Sequence, residues 1–313
     1  MPSRSAVLLT TLASALLLTA CTGGPGAQPA PEVAAAPTPA DANTLRLPLQ
    51  EYLPSAAQLD RLTLAQRVLT DQCMARYGFR YRVPALPDSG GAPENARRYG
   101  LADPVEAAAT GYGAGAADRP DKPVVPSMDP TERLVLSGAG ASDPRTLPRS
   151  QDEAEKSGRS EGEVNGLPVP AGGCVREAYL KLWVPTAAAP DPLKVQDLDG
   201  EAYDRSRQDR RVVEAAEGWA ACMAKKGYQA RNPVSPQSEL GLDPAGFAGP
   251  PGIAAATADV ACKREVNLVG IWFAVESAYQ RRLIEHNGEL LRSAKRQLDD
   301  SLRLTAQLVA RAG

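Results

Sequence analysis

Cysteine is the residue type in this chain with the clearest chemistry to offer. Apart from Cys21, the chain's cysteines are Cys73, Cys174, Cys222 and Cys262, and an even set of this kind in an exported chain reads as two disulfides. Zinc binding is the competing chemistry. It ordinarily needs a short Cys-x-x-Cys step, and no two of the four lie closer than 40 residues. The sequence therefore assigns no metal ligands and no cofactor.

Other fragments fall short of a reaction. Asp88-Ser89-Gly90 resembles the loop of aspartic proteases, but prolines and glycines surround it and no second copy exists. Asp197-Leu198-Asp199-Gly200 resembles part of a calcium loop. With Gly200 as its sixth position, Val195 and Ser206 stand where carboxylates are required, and Asp199 reads instead as a helix cap. His286, the single histidine, falls on an apolar stripe that suits hydrogen-bonded packing more than proton transfer. No nucleophile elbow, His-Glu-x-x-His zinc pattern or phosphate-cradling loop is read, and no catalytic residue is assigned. Carboxylate pairs that cleave glycans leave no local signature.

Two recurring phrases place the cysteines. "CMARYGFRYRVP" begins at Cys73 and "CMAKKGYQARNP" at Cys222, while "CVREA" begins at Cys174 and "CKREV" at Cys262. That order reads as an internal duplication of a two-cysteine unit, with intervals of 101 and 40 residues. Before Cys73, Ser55 and Gln58 form a capping-box pattern, and Leu59, Leu62, Leu69 and Cys73 recur at helical spacing. Before Cys222, Asp199 offers a cap, with Val212, Ala216, Trp219 and Met223 on one face. Gly78 and Gly227 follow their cysteines by five residues, where a left-handed residue would close each helix. Met74 and Met223 read as core filler. The second phrase is predicted to open a helix in both copies. In an antiparallel hairpin those ends are neighbours, which pairs Cys73 with Cys174 and Cys222 with Cys262 out of three connectivities.

The expected fold is mainly α, with two disulfide-linked antiparallel helical hairpins over residues 45–189 and 190–313. The first carries a long irregular Gly/Pro-rich insertion, residues 84–173, in which only Thr131 to Leu136 shows an apolar pattern. It reads as flexible surface. The chain ends in a long helix whose stripe runs from Leu268 to Val309 and bends at Asn287-Gly288. That stripe is expected to pack mainly on the other hairpin, leaving its C-terminal third as the surface for a partner.

The chain opens "MPSRSAVLLTTLASALLLTAC". Val7 to Leu18 carry no charge; the run is too short for a spanning helix of ~20 residues and suits a signal peptide over residues 1–20. Leu18-Thr19-Ala20-Cys21 resembles the lipobox of bacterial lipoproteins. The resemblance implies a diacylglycerol on the Cys21 sulfur, cleavage before it, and attachment to the extracytoplasmic face of the cell membrane. Residues 21–44, rich in Gly, Pro and Ala, read as the lipidated N-terminus and a disordered tether. The stretch "LRLPLQEYLPSAAQLDRLTLAQRVLTDQCMARYGF" also resembles uncharacterised exported lipoproteins of high-GC Gram-positive bacteria. That implies a location and no activity.

Composition bounds the rest. A net charge of −2 carries no nucleic-acid footprint. Three isoleucines and three phenylalanines are too few for a broad β-sheet core, so Ala and Leu carry burial in helices. The function expected is a non-enzymatic, lipid-anchored envelope protein that binds an envelope protein or component through a helical surface. A glycan hydrolase with unrecognised carboxylates and a solute-binding accessory of a transporter are the alternatives. The oligomeric state is open.

Overall fold

Both occurrences of the first cysteine phrase end a helix in the same way. The computed structural model describes residues 29–38, 42–81, 94–113, 128–138 and 144–312. Helix α1 (Ala56–Arg76) opens on Ser55, whose side chain accepts from Gln58 N while the Gln58 side chain accepts from Ser55 N. It closes with Phe79 N donating to Met74 O at 3.1 Å and Gly78 N donating to Ala75 O at 3.1 Å, with Gly78 at φ +82°. In the second copy Tyr228 N donates to Met223 O and Gly227 N to Ala224 O, both at 3.0 Å, with Gly227 at φ +87°. This is a Schellman closure. Glycine supplies the left-handed residue, and the aromatic beyond it packs back on the buried methionine.

The described residues of the insertion include three short α-helices and a hairpin. They are α2 (Pro104–Thr110), α3 (Pro130–Ser137) and α4 (Gln151–Ser157), then strands β1 (Ser160–Val164) and β2 (Leu167–Pro170), paired antiparallel. Asp103 and Asp129 cap the first two, each followed by a proline at the first helical position. Asn165 and Gly166, both at positive φ, make the hairpin turn. The insertion therefore holds more structure than its composition implies. Tyr99, Leu101, Ala107, Val135 and Val169 are all buried within it.

The remaining helices are α5 (Gly173–Trp183), α6 (Leu193–Gln208), α7 (Arg210–Lys225), α8 (Pro250–Glu265), α9 (Leu268–His286) and α10 (Gly288–Ala312). Cys174 lies in the first turn of α5, as expected. Cys262 instead lies late in α8. Pro250 and Pro251 start that helix early and an alanine-rich run carries it through the cysteine, until Asn267 at φ +50° stops it. The region expected as one helix from Asp199 is two: Asp209, extended at ψ 135°, ends α6 and caps α7 through Arg211 N. Asp199 is inside α6, not at a cap.

Both expected disulfides are present, Cys73–Cys174 and Cys222–Cys262, each with Cα atoms 5.6 Å apart. The paired helices run antiparallel. Leu182 at the end of α5 meets Leu62 and Ala65 early in α1, and Val266 just beyond α8 sits over Gly218 of α7.

The last helix bends where expected. Asn287 breaks the helical dihedrals, yet Asn287 N still donates to Leu283 O and Leu291 N to Asn287 O, both at 3.0 Å. Helix α9 packs on α6 and α7, and α10 crosses to α1. There Leu298 and Leu308 bury with Leu62 and Leu182, and the Ser301 hydroxyl donates to Leu182 O at 2.6 Å. The C-terminal third of the stripe is thus covered by α1 rather than left for a partner. The described residues from Pro31 onward form one compact unit.

The stretch expected as a free tether is docked from Pro31 onward. Pro31 O accepts from both Arg211 Nη atoms at 3.3 Å, and Pro37 O accepts from Asn267 Nδ2 at 3.0 Å. A β-carbon on Gly270 would meet Pro37 O at 2.2 Å. Proline-rich backbone offers acceptors without N–H donors, and these side-chain donors satisfy them.

Candidate functional site

One cluster of buried and half-buried charges lies where the insertion meets α6 and α9. Arg98, in the turn before Tyr99, donates through Nη2 to Glu276 Oε1 at 2.5 Å and to Asp199 Oδ1 at 3.0 Å. The Tyr99 hydroxyl donates to Glu276 Oε2 at 2.8 Å. Gln280 Nε2 donates to Asp199 at 2.8 Å, and its Oε1 accepts from Leu49 N at 2.8 Å. Asn95 adds a bond to Leu45 O at 2.8 Å. Four chain segments are joined by this one network.

Its electrostatics follow from enclosure. Burial pushes the Glu276 carboxyl up, and Arg98 and Tyr99 pull it back. Burial opposes the Arg98 charge, but the hydrogen bond and charge of Glu276 outweigh it and raise its pKa. Arg98 also lies 5.3 Å from the Tyr203 ring centroid, in a cation–π contact. A general acid must reach a reacting atom, whereas the Glu276 side chain is fully covered and both its oxygens are taken. The arrangement is a clamp.

A second buried pair supports α7 and α8. Lys263 Nζ lies 3.1 Å from Asp259 Oδ2, with both side chains enclosed, and also donates to Leu101 O at 2.8 Å. Trp219 Nε1 donates to the other Asp259 oxygen at 2.9 Å. Burial lowers the Lys263 pKa and raises that of Asp259. This pair holds Leu101, the residue that follows Gly100 into the core.

The sequence-singled residues fare variously. Cys21 and Asp88-Ser89-Gly90 lie outside the described residues. His286 is exposed, not packed on the stripe, and its Nδ1 bonds Arg282 O at 2.7 Å. Asp197 and Asp199 sit in α6. The Gly-x-Ser-x-Gly spacing, not read in the sequence, does occur once, at Gly158-Arg159-Ser160-Glu161-Gly162. A nucleophile elbow runs from strand to helix, but here helix α4 leads into β1, and the exposed Ser160 hydroxyl donates to Gly162 O at 2.8 Å. Among the described residues no cluster of His, Cys, Asp and Glu could hold a metal ion, and no helix is long and apolar enough to cross a membrane.

One site open to solvent is an apolar groove of about 260 Å³, where the turn before α1, the end of α5, the start of α6 and the middle of α10 meet. Three rings line it, Tyr52, Tyr179 and Trp183. Leu59 is 44% exposed and Leu193 55% exposed beside them. Glutamine amides, among them Gln297, supply the polar groups, and no lining residue carries a charge. No protein-family model, curated protein or solved structure matches this chain. The groove can hold apolar side chains: rings offer large contact area at low entropic cost, and amides can meet a backbone. Leu59 was legible as part of a helical stripe, but whereas Leu62 and Cys73 of that stripe are buried in the core, Leu59 itself lines the groove. Arg98 and Glu276 carried no local signal, since ion pairs between distant segments leave none.

Proposed function

We propose that the protein is a non-enzymatic binding protein, held by lipid on Cys21 at the extracytoplasmic face of the cell membrane, whose helical groove takes an envelope protein. The groove is the observation that carries this reading. Leu59 and Leu193 are large, exposed and adjacent to three rings, an arrangement that costs free energy in water and is relieved by a partner. Its uncharged lining suits apolar side chains of a protein segment. The lipobox and the two disulfides support the location.

Photo-crosslinking on intact cells, with the reactive group at Leu193, tests it. A discrete envelope-protein adduct that disappears in the Leu59→Glu variant is the expected result. The same residue crosslinking to no protein, together with reproducible cleavage of peptidoglycan by the purified chain, would replace the reading with the hydrolase alternative. Cys21→Ser is expected to release the protein from membranes, and retention there would defeat the anchor.

A further inference from the structure

A second cleft, about 630 Å³, runs along α7 between the end of α6 and residues 231–233. Its character differs from the groove's. The floor is apolar, with buried Trp272 and with Val213 40% exposed on the wall, and Ala216 leaves depth beside them. The rim carries Arg207, Arg231 and Glu217. Arg207 has Asp204 at 4.0 Å, a distance that leaves most of the guanidinium unsatisfied. Among the described residues, the Arg231 guanidinium has no ion pair or hydrogen bond.

The wall bearing Arg231 is fixed in advance. Glu239 accepts from Arg231 N at 2.5 Å and Asn232 N at 3.1 Å, using both its oxygens on backbone. Asn232 accepts from Val234 N and donates to Ser235, both at 3.0 Å. Pro233 is buried and its carbonyl presses on Gly100, where a β-carbon would lie 2.5 Å away. A wall held this way loses little freedom on binding.

We propose that this cleft binds a ligand that ends in a carboxylate and has an apolar body, such as the free C-terminus of a short peptide. The planar guanidinium donors match a carboxylate, and the apolar floor takes the last side chain. Glu217 on the rim repels multiply charged anions, so a single negative charge is favoured. The site is separate from the groove, and its test does not depend on the groove having a partner.

Calorimetric titration of the full-length, detergent-solubilised protein decides it. The probes are N-acetyl-Ala-Ala-Leu as the free acid, the same peptide as its C-terminal amide, and inorganic phosphate. The free acid is expected to bind at least tenfold tighter than the amide or phosphate, and Arg231→Gln is expected to weaken it about tenfold. Because that guanidinium makes no hydrogen bond or ion pair among the described residues, the variant should keep the parent's urea midpoint. Val213→Glu, at an exposed position, should also weaken the free acid. Equal binding of acid and amide, phosphate binding as tight as the peptide, full affinity in Arg231→Gln, or no binding of any probe each overturns the proposal.

Discussion

Around Cys73–Cys174 the buried apolar cluster is small, with Met74, Tyr77, Val135, Val164 and Val169 as the other buried members. Around Cys222–Cys262 it is larger and includes Trp219, Trp272, Met223 and Leu268. The helix endings are alike in both places. So is the acid three residues after the second cysteine: Glu177 lies 3.7 Å from the Cys73 sulfur and Glu265 lies 3.4 Å from that of Cys222. Yet only Glu177 is tied into ion pairs, with Arg76 and Lys181 each at 2.5 Å. Although burial opposes it, those two cations pull its carboxyl below the usual range. The same short code therefore closes two helices whose stability comes from different sources. The first pair leans on its cross-link and surface charges, the second on its core.

The strongest way to break that comparison is to remove each bridge. In the chain-entropy picture a loop of 101 residues contributes about 4.7 kcal/mol and one of 40 about 3.9. Cys73→Ser with Cys174→Ser is expected to cost roughly this full amount in urea unfolding. The Cys222→Ser and Cys262→Ser double variant should cost about 2–3 kcal/mol, because its tryptophan-rich core keeps the ends together when unlinked. A larger loss in the second pair inverts the comparison.

Arg98→Met sharpens it next. Glu276 would be left buried without its cation, a loss of about 3–5 kcal/mol. Hydrogen exchange should then rise first in residues 94–101, since the clamp is what binds this part of the insertion to α9. Unchanged protection there would mean that the insertion is held by apolar contacts alone.

The smallest effect concerns Asp209, which caps α7 and holds the Arg211 side chain that meets Pro31 O. Arg211, and with it burial and the backbone bond at the cap, sets the Asp209 pKa, and the net shift is below the ordinary carboxylate value. A carboxyl depressed in the folded state stabilises above its unfolded pKa of about 3.9, and that contribution is lost as pH falls through the folded value. Asp209→Asn keeps an N-cap but loses the charge, so it should cost about 1 kcal/mol at pH 7. The difference from the parent should shrink as pH falls below about 3.9 and vanish once Asp209 is protonated in the folded state as well. A difference that persists in acid would assign the effect to packing.

Much of the frame was legible because its signals are local. Ser55 with Gln58, the cysteine–methionine–alanine run before each glycine, and the asparagine–glycine bend all act within a few residues. Other local signals were present but unread, notably Asp-Pro at residues 103–104 and 129–130 and Asn-Gly at residues 165–166. Cys262 lies late in α8 rather than at a helix start, because the alanine-rich run before it is helical with few large apolar residues to mark a face.

By itself the sequence determined the helical class, the closures of α1 and α7 and the bend before α10, since each depends on neighbours along the chain, while the cysteine partners followed from the order of two recurring phrases. Only the tertiary structure decided that Arg98 answers Glu276, that residues 31–38 lie against the body, and that Tyr52, Tyr179 and Trp183 share one groove. Those contacts join residues far apart in the chain. Whether a charge is buried or a ring exposed is set by what the rest of the fold brings alongside it.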